Sequence, residues 1–319
     1  MTNLQKRKNR VGFYLPLFLI TVPATVVMRT IAYLNNLNAQ EHSIDSSLVL
    51  VANISLAFFT AIFLLHSASH SRNDSVPQES FSNYTTYISS GLLSVSVIFA
   101  VYELLSKSIP SVINSLNTGA AISFGDIGII ASATLGIATA VSFLVNLLIE
   151  KKYSQIRALF GIFTTLFFSL YAICSYIDSS SAINVQQKSL TVLSLIFGSV
   201  FFLYETRISI GRSKWHSYVA FGLSSAALLY YTSIPAIIYY FTTGSLTPGS
   251  SLIQLIVMLA LAIYVTLRVF LIAYAPEDEI SELTDAILDM VHERNKNCAS
   301  LALVNTLKEE NDPEISSEN

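Results

Sequence analysis

Leu203-Tyr-Glu-Thr-Arg-Ile-Ser-Ile-Gly-Arg-Ser-Lys-Trp215 is a short, charged, glycine-containing turn between two long apolar runs, about 188–206 and 217–241. Each run can cross the roughly 30 Å hydrocarbon core of a bilayer as a helix. A basic hinge joining two such runs reads as the turn of a membrane hairpin, and the pattern recurs along the chain. Six further apolar runs lie at about 11–34, 48–66, 83–105, 126–150, 158–177 and 250–274. Composition agrees: of 319 residues 52% are hydrophobic and only 12% charged, where a soluble domain carries roughly 25% charged residues. The fold class expected is all-α, a polytopic integral membrane bundle of eight transmembrane helices.

Charge in the turns orients that bundle. Counting outward from Arg207, Arg212 and Lys214, the basic residues on one side are Lys151, Lys152, Arg157, Arg72, four in the first ten residues and three after residue 275, making 14 of the 18. The opposite turns hold only Lys107 and Lys188. Because Lys and Arg are retained on the cytoplasmic side, both termini are expected to be cytoplasmic, in a cell membrane. The first run is too long, and lacks a clean small-x-small cleavage site, for a signal peptide. It is read as a retained helix despite Pro16 and Pro23, which membrane helices tolerate. The even-numbered runs end alike, as in Phe63-Leu-Leu-His66 and Phe202-Leu-Tyr-Glu205. That likeness raises a pair of related four-helix halves, although basic, short loops also make all hairpins look similar.

The run Leu203-Tyr-Glu-Thr-Arg-Ile-Ser-Ile-Gly-Arg212 at a helix exit resembles a turn in uncharacterised multi-pass membrane proteins of clostridia-like Gram-positive bacteria. The resemblance covers this turn and the general hairpin layout. It implies a bacterial cytoplasmic membrane protein and brings no activity, so no functional residue is carried over from it.

The chain divides at about residue 275. Residues 1–275 form the eight-helix domain; residues 276–319 form an acidic tail. The tail holds 12 of the 21 acids and three bases, leaving it at −9 within a chain of net charge −3. Pro276-Glu-Asp-Glu279 is a good helix start, and Ile280, Leu283, Ile287, Met290 and Val291 then fall on one face at helical spacing. An acidic helix is repelled by anionic lipid, so that face suits a cytoplasmic protein partner. Residues 309–319 are polar and acidic, the composition of a disordered end.

Ionisable residues inside membrane helices are the usual pointers to function. Toward the outside lie Arg29, Glu103 and Asp126; Arg29 is the deepest, and it can pair with either acid, line an outer vestibule or snorkel to the interface. Toward the cytoplasm, Glu150, Glu205, Arg207, Arg212 and Arg268 lie at similar depth. They are expected to form an ion-pair plate clamping the fourth, sixth and eighth helices, with an anion or partner site as the alternative. Gly128, Ser132, Gly136 and Ala140 make an i, i+4 stripe of small residues that lets backbones approach. Pro235 should kink the seventh helix, and Tyr230 and Tyr231 just before it need polar partners, so a pocket there is a candidate. Tyr239, Tyr240 and Phe241 read as an interfacial aromatic belt. His66 and His70 share a helix face near Asp74, but no third metal ligand is specified.

No phosphate loop, His-Glu-x-x-His, Gly-x-Ser-x-Gly or Cys-x-x-Cys motif is present. Cys174 and Cys298 are not placed to meet, and no nucleic-acid motif accompanies the basic turns. The expected role is therefore non-enzymatic, without cofactor, catalytic residue or metal: a membrane component that docks a partner or senses a small molecule. The alternative is a permease for a small neutral or weakly polar solute. Oligomeric state is not readable from the sequence.

Overall fold

The alternation of apolar runs and turns is realised as eight helices in a computed structural model that describes residues 14–38, 43–44, 47–69, 84–148, 155–178, 185–210 and 214–274. They are α1 Tyr14–Asn36, α2 Ser47–Ser69, α3 Tyr84–Thr118, α4 Phe124–Leu148, α5 Gln155–Ile177, α6 Gln186–Ser209, α7 Trp215–Thr243 and α8 Leu252–Tyr274. Every one contains a stretch long and apolar enough to cross a membrane. The only strand pairing among the described residues is a two-residue antiparallel ladder between α1 and α2, β1 Leu37–Asn38 with β2 Ser43–Ile44.

The distribution of polarity is that of a protein solvated by lipid. Outward-facing residues include Ile20, Phe58, Leu65, Ile98, Leu159, Ile173 and Leu203, whereas Ser132, Thr139, Ser142, Ser194, Ser224, Ser225, Thr232 and Ser233 are buried. Water on the outside would favour the reverse. In hydrocarbon, apolar atoms gain nothing by hiding, and hydroxyls are best placed where they can bond to backbone carbonyls. Many do: Thr232 donates to the Leu228 carbonyl at 2.7 Å, Ser233 to Leu229 at 2.7 Å and Ser194 to Leu190 at 2.7 Å. The chain is an integral membrane protein with eight apolar helices.

Helices α3 to α8 pack each on the next, and α8 packs back on α3, closing a ring. The α1–α2 hairpin lies outside that ring against α7. The chain thus groups as two helices plus six. It does not group as two four-helix halves, because α7 offers a second apolar face that only the first hairpin covers. Helix α7 is the most enclosed element, with Tyr218, Val219, Ala220, Leu223, Ala226, Ala227 and Leu229 fully buried. It continues unbroken through Pro235 to Gly244, whose φ of 73° lets its N–H reach the Tyr240 carbonyl at 2.8 Å.

Most helix bounds follow the apolar runs within a few residues, but α3 does not. The run was expected to end near residue 105, and α3 continues to Thr118 through Pro110. The extension is Ser- and Asn-rich, so hydropathy does not mark it. It ends in a Schellman turn, with Gly119 N–H to the Leu116 carbonyl at 3.3 Å and Ala120 N–H to the Ser115 carbonyl at 2.9 Å. Lys107 therefore sits in a helix, not in a turn, and so does Lys188, in the first turn of α6.

The small-residue stripe on α4 packs inside the bundle. A methyl group at Gly136 would stand 2.4 Å from Val101 Cγ2 and 2.9 Å from Phe167 Cε2, so α3 and α5 both press on the bare backbone there. Ala140 lies against α3, its carbonyl accepting from Ser94 at 3.0 Å, and Ser132 is fully buried. Gly128 differs: open space surrounds it.

Candidate functional site

Near the end of the bundle where α1, α3, α5 and α7 begin, the last two turns of α6 bring Glu205, Thr206 and Ser209 inside the ring. The reason is local: Ser209 is four residues from Glu205 and three from Thr206, so it lies between them on one helix face. Across from them α8 presents Arg268 and Tyr264, again four apart. Arg268 donates to Glu205 Oε1 from Nε at 2.8 Å, and its Nη2 is also 2.8 Å from that oxygen. The Tyr264 hydroxyl donates to the same carboxylate, at 3.1 Å to Oε1 and 3.3 Å to Oε2. Arg268 is 1% exposed and the Glu205 side chain 14%. Of the expected clamp of the fourth, sixth and eighth helices, the α6–α8 part therefore exists as a buried ion pair, hydrogen-bonded through Arg268 Nε and supported by Tyr264.

The other expected members of the plate behave differently. Arg207 turns away and lies over the Tyr204 ring, 5.7 Å from its centroid. Glu150 and Arg212 lie outside the described residues. Arg157 takes a place that the sequence did not signal. It follows a basic turn and looked like one more topology anchor, but it is the third residue of α5, is buried and lines the cavity beside the pair.

That cavity has a volume of about 30 Å³. A water needs ~10–15 Å³ on this measure, so the space suits two waters or a solute of a few heavy atoms. Its polar wall is Arg157, Glu205, Arg268 and the hydroxyls of Thr86, Thr164 and Thr206. Its floor is aromatic: Phe202 lies between Phe168, stacked at 5.4 Å, and Tyr264 at 5.7 Å, with Phe143 edge-on to Tyr264 at 5.4 Å. A methyl group at Gly161 would be 2.2 Å from Thr206 Oγ1, so this glycine holds α5 and α6 close at the rim. Guanidinium donors, a carboxylate acceptor and rotatable hydroxyls above an apolar floor can fix a small polar solute on several sides.

The expected outer group of Arg29, Glu103 and Asp126 is not one site. Glu103 pairs with Lys107 at 3.0 Å and accepts from Ser251 at 2.9 Å. Ser251 itself caps α8, accepting the Gln254 N–H at 3.0 Å. Asp126 accepts from Ser123 at 2.7 Å and Ser111 at 2.9 Å. Ser123 also accepts the Asp126 N–H at 3.1 Å, so the acid belongs to the start of α4. Arg29 meets neither acid and does not snorkel. It is fully buried, its Nη2 donating to Tyr33 Oη at 2.9 Å and to Gln187 Oε1 at 2.8 Å.

Tyr230 and Tyr231, expected to share a pocket at Pro235, point to different neighbours because adjacent helical residues are 100° apart. Tyr230 accepts from Thr266 on α8 at 3.3 Å; Tyr231 donates to Asn53 on α2 at 2.6 Å. At the end where α1 begins, His66 bonds the Tyr14 hydroxyl and faces His216 at 6.2 Å. No cluster of three metal-ligating side chains occurs among the described residues. His70, Asp74 and the tail face of Ile280, Leu283, Ile287 and Met290 lie outside them.

No family model, curated protein or solved structure matches the chain.

Proposed function

We propose that the protein is a non-enzymatic sensing component of a cell membrane, one that registers a small polar solute in the pocket at Arg157, Glu205 and Arg268. The observation that carries this reading is the pocket itself: an ion pair with hydroxyls around a cavity of about 30 Å³, walled by residues of α3, α4, α5, α6 and α8. An occupant there touches five helices at once, so it can shift their relative packing, as a sensor requires. In this reading the positive-inside rule assigns this end of the bundle to the cytoplasm, the side to which the sequence also assigns the −9 tail. In this reading the tail's apolar face docks a cytoplasmic protein and passes the signal on.

A permease is the competing reading. Expected helix kinks and a Ser/Thr/Tyr-lined interior motivate it; a polar cavity shared by Tyr230 and Tyr231 at Pro235 would favour it, and those tyrosines face apart. Two measurements on the purified full chain separate the readings. Thermal unfolding is followed against urea, formate, acetate and glycine, and the same solutes are used in proteoliposome swelling. Sensing predicts that at least one solute raises the melting temperature saturably, that Glu205→Gln abolishes the rise, and that no solute enters. Solute entry blocked by Glu205→Gln would establish a permease; no saturable shift with any solute would remove the pocket as a sensing site.

A further inference from the structure

Arg29 on α1 is a cation buried in the membrane region with no carboxylate beside it among the described residues. The four acids among the described residues are engaged elsewhere: Glu103 and Asp178 with Lys107, Asp126 with Ser111 and Ser123, and Glu205 with Arg268. The guanidinium is 0% exposed. Its Nη2 is satisfied by Tyr33 and Gln187, but Nε and Nη1 have no acceptor. Its carbon lies 4.4 Å from the centroid of the Tyr231 ring and 5.2 Å from that of Tyr33.

The surrounding groups hold this arrangement rigidly. Tyr33 donates to Gln187 Oε1 at 2.7 Å, Gln187 Nε2 donates to the Thr232 carbonyl at 3.2 Å, and Tyr231 donates to Asn53 at 2.6 Å. Four helices, α1, α2, α6 and α7, are thus tied around one charge. Removing an ion from water is costly unless an opposite charge accompanies it, and unsatisfied charged donors add to that cost. Ring faces and neutral oxygens offset only part of it. If the network served only to join helices, a neutral amide would do so without this penalty.

We propose that Arg29 is an anion-binding residue, whose ligand is a small monovalent anion of halide size accepting from Nε–H and Nη1–H. One positive charge with no second cation in the cage matches a single negative charge. A phosphate would leave excess negative charge in a low-dielectric site. Full burial of the guanidinium, with Tyr33, Tyr231 and Gln187 against it, favours a small ion over a larger one. This site lies on different helices from the pocket at Glu205, apart from α6, and stands whether or not that pocket is a sensing site.

The test uses the full chain in lipid nanodiscs, with sodium chloride or bromide replacing sodium gluconate at constant ionic strength. Thermal unfolding of the wild type should shift upward saturably with either halide. Arg29→Met should lose the shift while melting in gluconate at or above the wild type, because an uncompensated buried charge is gone. Arg29→Lys keeps the charge but not the planar donor set, and should need at least tenfold more halide for half-saturation. Tyr231→Phe keeps the ring face and should retain the response. A wild type indifferent to halide, an undiminished shift in Arg29→Met, or an unchanged half-saturation in Arg29→Lys would each overturn the assignment.

Discussion

Neutralising Glu205 by Glu205→Gln changes the shape of the pocket little and its electrostatics greatly. In the native protein Arg268, 1% exposed, donates to Glu205 Oε1 from Nε at 2.8 Å, with the charge of Nη2 also 2.8 Å from that oxygen. Two unit charges about 4 Å apart attract by about 4 kcal/mol at an effective dielectric of 20. Stripping a buried charge of its partner costs about 3–5 kcal/mol, so Glu205→Gln should lose about that much stability. Arg268→Met should lose less, about 1–3 kcal/mol, because the carboxylate left behind borders the cavity and can be rehydrated or protonated. The double variant removes both charges and should be no worse than Glu205→Gln alone, giving a coupling of at least about 1–3 kcal/mol in the double-mutant cycle. Reversible unfolding in mixed micelles measures all four proteins. A coupling below about 0.5 kcal/mol, the scatter of independent sites, would refute the clamp.

Other consequences follow from packing and topology. Gly136→Leu forces a side chain between Val101 and Phe167 and should cost at least about 1–3 kcal/mol. Gly128→Leu on the same stripe meets open space and should leave the same unfolding midpoint unchanged. Ser123→Ala removes the cap of α4 and should cost about 1 kcal/mol, read in the same assay. Deleting residues 277–319 should leave membrane insertion intact and remove a co-purifying cytoplasmic protein; an unchanged set of co-purified proteins would argue against a docking tail.

The architecture was legible because in lipid it depends on run length and loop charge, both of which are local in sequence. Eight apolar runs gave eight helices, and the one poor boundary, at α3, lies where Ser108 to Thr118 form a helix too polar to register as a span. Pairing of Glu205 with Arg268 was also within reach, since both lie near helix ends of similar depth. Arg157 was missed because a basic residue three positions after Lys151-Lys152-Tyr153-Ser154 is indistinguishable from a loop anchor until α5 is seen to turn it inward. Its depth marks Arg29 in the sequence, but neither pairing with Glu103 or Asp126 nor snorkelling describes its burial against Tyr33 and Gln187. Depth along a helix says nothing about rotation around it, and Gln187, an uncharged residue 158 positions away, carried no signal. The two-plus-six grouping likewise depends on which face of α7 is covered, which periodicity cannot show in a helix that is apolar all round.

The pocket as a sensing site is tested most directly by its accessibility. In a cysteine-free background, Ser209→Cys is placed at the cavity wall and the protein is reconstituted into sealed vesicles of known orientation. A membrane-impermeant thiol reagent should label it only from the side carrying the N-terminus, and labelling should slow saturably with the solute that raises the melting temperature. Labelling from the opposite side, or a rate untouched by that solute, would contradict the account.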